Sequence, residues 1–135
     1  LIANLSNTSA LLNQGLKDIN WVGFYLLDNN VLHLGPFQGK VACMHILVGK
    51  GVCGTAVTKD QTILVENVHK FQGHIACDSA SNSEIVIPIH RGGQILGVLD
   101  IDSPSVSRFD STDKVYLERI VAILEKSINQ RFNLN

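Results

Sequence analysis

Two apolar segments separated by Arg91-Gly92-Gly93 constrain this chain more than any other feature. Side chains alternate across a strand, so "EIVIPIH" (84–90) and "QILGVLDID" (94–102) read as the two arms of a hairpin. Ile85, Ile87 and Ile89 share one row with Ile95, Leu99 and Ile101. The opposite row carries Glu84, Val86, His90, Leu96, Val98, Asp100 and Asp102. The first row must be buried against another layer. The second holds Glu84, Asp100 and Asp102, which no plain hydrophobic core accepts without partners.

Helices able to cover the apolar row stand at both ends. Leu5, Leu12, Leu16 and Ile19 recur at helical spacing within 1–18. Asp110 is a good N-cap for a last helix whose stripe is Leu117, Ile120, Val121, Leu124 and Ile128. Between them "WVGFYLL" (21–27), "VLHLGPF" (31–37), "VACMHIL" (41–47) and "QTILVEN" (61–67) read as strands. "DNN" (28–30) supplies turn chemistry, and 49–60 turns helix-like around Cys53, Ala56 and Val57. The order predicts an α+β fold: an antiparallel sheet with helices packed on one face and a loop-covered ligand pocket on the other. Residues 1–135 suit one domain, and a first residue Leu1 in place of Met predicts a truncated N-terminus.

A net charge of -1 with no basic run argues against nucleic acid. No run of 18 apolar residues argues for a membrane helix. Cys43, Cys53 and Cys77 are an odd set that fits reduced thiols in the cytoplasm better than a secreted disulfide framework. They lack the close pair that structural zinc sites show, so no metal or cofactor is expected.

Chemistry collects in two places. Trp21, Gly23 and Tyr25 form one row of the first strand, and two aromatics facing three acids describe a pocket for a small polar ligand. Crowded carboxylates raise one another's pKa, so one can hold a proton to donate while its neighbours bind an ammonium. An ammonium also sits well over aromatic faces. The second place is the loop "HKFQGHIACDSAS" (69–81), where Cys77 stands beside Gly73, Asp78 and Ser79. A solvent-reachable thiol there can react as thiolate, and a second cysteine within reach turns a sulfenic acid into a recoverable disulfide. Spacing does not choose between Cys43 and Cys53 as that partner, and Cys53 is expected to be buried.

Parity sets a condition on the acids. A plain two-residue turn at Gly92-Gly93 would oppose Glu84 to Ile101 and turn it away from Asp100 and Asp102. Convergence requires a three-residue turn over 91–93, pairing Glu84 with Asp100, or one β-bulge, for instance near Pro88.

The chain resembles the free methionine-R-sulfoxide reductases, which are single GAF domains. The motifs are "NWVGFY" (20–25), "GPFQGKVAC" (35–43), "GKGVCGTA" (49–56), "GHIACDSASNSEIVIP" (73–88) and "GVLDIDSP" (97–104). Gln72 stands where that family commonly has proline. The resemblance implies a cytoplasmic, homodimeric oxidoreductase that acts on free methionine sulfoxide with electrons from thioredoxin. It implies Cys77 as attacking thiol, Cys43 as resolving thiol and Cys53 as auxiliary thiol. It implies Glu84, Asp100 and Asp102 as acidic ligand-site residues, with Trp21 and Tyr25 as the aromatic wall. The alternative is a non-catalytic GAF module that senses a small metabolite through the same pocket.

Overall fold

The computed structural model describes residues 1–77 and 79–130, so Asp78 of the Cys77 loop lies outside the described residues. In chain order the elements are α1 (Ile2–Gly15), β1 (Trp21–Asp28), β2 (Val31–Gly39), β3 (His45–Leu47), α2 (Gly51–Lys59), β4 (Ile63–Val65), β5 (Ser83–Arg91), β6 (Gln94–Ser103) and α3 (Ser111–Asn129), with a 3-10 turn at Val68–Lys70. The strands form one antiparallel sheet in the order β3-β2-β1-β6-β5-β4. No helix among the described residues is long and apolar enough to cross a membrane.

Local chemistry explains the element boundaries. Asn29 and Asn30 both take positive φ, as a two-residue hairpin turn between β1 and β2 demands. The Asp113 backbone N–H donates to Asp110 Oδ1, and the Asp110 N–H donates back to Asp113 Oδ2, each at 2.9 Å. That reciprocal capping box fixes the start of α3. β2 bulges at Gly35-Pro36 opposite Phe24, where a proline without an N–H can leave the ladder.

The sheet has two buried faces. Val22, Phe24, Ile85, Ile87, Leu99 and Ile101 pack against Leu5 and Leu12 of α1 and Leu117, Val121 and Leu124 of α3. On the other face Trp21, Tyr25, Leu32, Val86 and Val98 meet Val52, Cys53, Ala56 and Val57 of α2. The pocket face is therefore covered by the short helix α2 as well as by loops.

The hairpin satisfies the parity condition by its second route, a β-bulge in the stretch of ladder just beyond Pro88. The turn is two residues long, with Gly92 and Gly93 both at positive φ and Arg91 opposite Gln94. The register then slips, because Ile89 opposes Gly97 whereas His90 opposes Ile95. Leu96 is the extra residue of the bulge. Glu84 consequently opposes Asp102, not Asp100. The slip also corrects the expected apolar row: Leu96 joins the helix-side core, and Ile95 moves to the pocket side. β3 and β4 depart strongly in extent, each keeping three of the seven expected strand residues. Of 41–47, the residues before His45 stay outside the sheet and carry Cys43 across the pocket face.

Candidate active site

Opposed residues on antiparallel neighbours point to the same face, so the pairings of three adjacent strands write out the pocket floor. Trp21 of β1 opposes Asp102 of β6, which opposes Glu84 of β5. In the next row Gly23 opposes Asp100, which opposes Val86. In the row after that, Tyr25 opposes Val98, which opposes Pro88. Two aromatics of one strand thus stand beside the acids of the next two.

Trp21 is held from both sides. Its ring stacks on Phe37 at a centroid distance of 5.2 Å and on Tyr25 at 5.9 Å. This stack exists because residue 23 has no side chain, since a Cβ there would meet Phe37 Cβ at 2.3 Å. The polar tips of both rings point at the segment after β2. Trp21 Nε1 donates to the Lys40 carbonyl (3.2 Å), and Tyr25 Oη donates to the Cys43 carbonyl (2.8 Å). The aromatic wall therefore fixes the segment that carries Cys43.

Cys43 and Cys77 are joined by a disulfide, with Cα atoms 5.4 Å apart. That separation lies inside the range that bridged cysteines adopt. Cys53 is a buried free thiol brought down by α2. Its sulfur and one carboxylate oxygen each of Glu84 and Asp100 all lie within 4.8 Å of one another. Every site residue read from the sequence except Cys43 lines a single cavity, and Cys43 is tied to it through the bridge. His90 lies away from the acids, paired with Asp60 (2.7 Å) and Glu125 (3.7 Å).

The cavity also gains residues that sequence reasoning did not single out: Val41, Ala42, Ile46, Val52, His74, Ile75 and Ser81. His74 Nε2 lies 4.0 Å from Glu84 Oε1. Its place three residues before Cys77 in the same loop was the available signal. Ser81 had no such signal, since its tie to Asn20 (3.1 Å) spans distant parts of the chain.

The electrostatics are those of a buried acidic site. Burial, then the Asp100 and Asp102 charges, push Glu84 well above the usual carboxylate range. Burial also raises Asp100, against hydrogen bonds from Glu84 and Cys53 that pull it down. Cys53 is raised by burial and then by the surrounding acids, so it is held as a thiol rather than a thiolate. Burial and the nearby His69 lower His74, which keeps its imidazole neutral. Asp100 Oδ1 is buried without a hydrogen-bond partner, and among the described residues no lysine or arginine lines the cavity. Such a floor favours a ligand that brings a cation or hydrogen-bond donors.

Known proteins resemble this chain in sequence and fold. The GAF domain family matches residues 3–128. The free methionine-R-sulfoxide reductase of Escherichia coli (strain K12) is 60% identical over 125 residues, covering 93% of this chain and 76% of that protein. The structure of fRMsr of Staphylococcus aureus in its reduced form is 62% identical with a TM-score of 0.92, covering 94% of this chain and 82% of that one. The free methionine-R-sulfoxide reductase from Neisseria meningitidis, solved in complex with its substrate, is 48% identical with a TM-score of 0.90, covering 93% of this chain and 75% of that one.

Proposed function

We propose that this chain, which belongs to the GAF domain family and within it to the free methionine-R-sulfoxide reductases, reduces free methionine-R-sulfoxide through the thiol pair Cys77 and Cys43. The observation that carries the reading is the bridge between those two cysteines at the wall of a cavity floored by Glu84, Asp100 and Asp102. A metabolite sensor needs the cavity and has no use for the bridge.

In the reduced protein the Cys77 thiolate attacks the sulfoxide sulfur. The sulfur–oxygen bond of the substrate breaks, and the oxygen passes to Cys77 as sulfenic acid while methionine leaves reduced. Glu84 is the proton source for that oxygen, because its raised pKa keeps it loaded near neutrality. Asp100 and Asp102 hold the ammonium of the free amino acid, with the apolar part of the ligand against Trp21 and Tyr25. Cys43 then attacks the sulfenic sulfur, releasing water and forming the disulfide. A dithiol partner of the thioredoxin class returns both cysteines to thiols, and Cys53 serves as an auxiliary thiol. The working form is a cytoplasmic homodimer.

The test is turnover of free methionine sulfoxide with a dithiol reductant, comparing R and S epimers. Consumption of the R epimer alone is expected. Equal consumption of both, or ligand binding with no turnover, would overturn the reading, the second outcome in favour of the sensor.

A further inference from the structure

Cys53, Glu84 and Asp100 are more than a ligand floor. Each sits on a different element, α2, β5 and β6, and each is buried. Their donor atoms, one sulfur and two carboxylate oxygens, lie within 4.8 Å of one another. Asp100 Oδ1 is buried with no partner, at a cavity lined among the described residues by no lysine or arginine. No local pattern announces this set, because Cys53 meets the acids only once α2 folds over the sheet.

We propose that Cys53, Glu84 and Asp100 form a binding site for a soft divalent cation of the Zn²⁺ and Cd²⁺ class, overlapping the place of the bound amino acid at Glu84 and Asp100. Zinc is bound by thiolate at about 2.3 Å and by carboxylate at about 2.0–2.2 Å, which places tetrahedral ligand atoms roughly 3.5 Å apart. The three donors, all within 4.8 Å of one another, therefore have to close by at most about 1.3 Å, a distance that side-chain rotation covers. A thiolate in the set favours zinc or cadmium over magnesium or calcium, which prefer all-oxygen sites. Metal binds the deprotonated ligands, so binding releases the protons that burial keeps on the thiol and carboxyls, and it tightens as pH rises. The site is closed to the metal while an amino acid occupies it. That exclusion rests on the proposed function, whereas the ligand set does not.

The oxidised protein provides a clean test. Of the three cysteines, Cys43 and Cys77 are bridged there, which leaves Cys53 as the sole thiol. Titration of that form with Cd²⁺ should give one equivalent bound per chain with a thiolate-to-cadmium charge-transfer absorption in the ultraviolet. Calorimetry in two buffers of different ionisation enthalpy should show proton release. Metal held by the neighbouring His33 and His45 rings would give no such band. Cys53→Ser should abolish the band, and Asp100→Asn should weaken Cd²⁺ binding by at least about tenfold. Free methionine sulfoxide should raise the apparent Kd for the metal in wild-type protein. Absence of the band at saturating Cd²⁺ would overturn the proposal without recourse to any variant, and so would unchanged affinity in folded Cys53→Ser. Binding with the band but without competition would leave the ligand set standing and remove the exclusion, and the epimer assay judges the reductase reading separately.

Discussion

Replacing Gly23 by alanine tests whether the pocket wall depends on one missing side chain. The new Cβ would lie 2.3 Å from Phe37 Cβ, 2.8 Å from Phe37 Cα and 2.8 Å from the far edge of the Trp21 ring. Ordinary contact begins at 3.4 Å. The shortfall against Phe37 is more than 1 Å, and it involves atoms next to the backbone that cannot rotate aside. Either β1 and β2 separate locally or the Phe37–Trp21–Tyr25 stack is pushed apart. Overpacking of this kind costs about 1–3 kcal/mol. For a domain of this size that is a fall of roughly 3–12 °C in Tm. Trp21 is the sole tryptophan of the chain, so its fluorescence reports the wall directly. The expected result is a lower Tm, a shifted emission spectrum and a raised KM for free methionine-R-sulfoxide, with kcat changed less than KM. A variant with wild-type Tm, emission and KM would refute the argument that residue 23 must be glycine for the wall to form.

Three further predictions follow from the site. Cys77→Ser should fold normally, as judged by circular dichroism, and lose turnover altogether, because serine supplies no comparable nucleophile near neutrality; retained activity would exclude Cys77 as the attacking thiol. N-acetylmethionine sulfoxide should show kcat/KM at least about a hundredfold below the free amino acid, since a buried carboxylate left unpaired costs about 3 kcal/mol or more; steady-state kinetics on the two compounds check it. Glu84→Gln should reverse a pH penalty. Glu84 holds its proton longer in the folded protein than in the unfolded chain, so wild-type stability falls as pH rises from the unfolded pKa of about 4.3 toward the folded one. Urea unfolding should find the variant close to wild type near pH 4 and more stable at pH 8, while its turnover is lost.

The parts of this protein legible in its sequence are those set by local periodicity. The alternation in β1 and in the hairpin assigned Trp21, Tyr25, Glu84, Asp100 and Asp102 to one face, and parity demanded an irregularity in the hairpin before any coordinates did. Its position at Leu96 was not legible. A bulge is fixed by how the strand packs on both faces, and Gly92-Gly93 had already satisfied the turn. The choice between Ile95 and Leu96 for the helix-side core followed from that slip. The reach of 41–47 was overestimated for a related reason. "VACMHIL" has strand composition throughout, yet its first half serves the pocket wall, drawn there by the Tyr25 hydroxyl and the bridge. Cys53 was expected to be buried, and it is, but nothing local to α2 announced the face of the sheet on which it would lie.

The bridge is at once a chemical bond and part of a binding surface, because the Cys43 carbonyl it carries is also the acceptor for Tyr25 on the cavity wall. Occupancy and electron count are therefore linked quantities. Any small molecule that binds the dithiol form ten times more tightly than the disulfide form raises the midpoint potential of the couple by about 30 mV, and by reciprocity reduction tightens its binding by the same factor. The level of such a ligand then enters the redox poise of this cysteine pair directly. A measured potential for it has meaning only when the concentration of whatever fills the cavity is stated beside it.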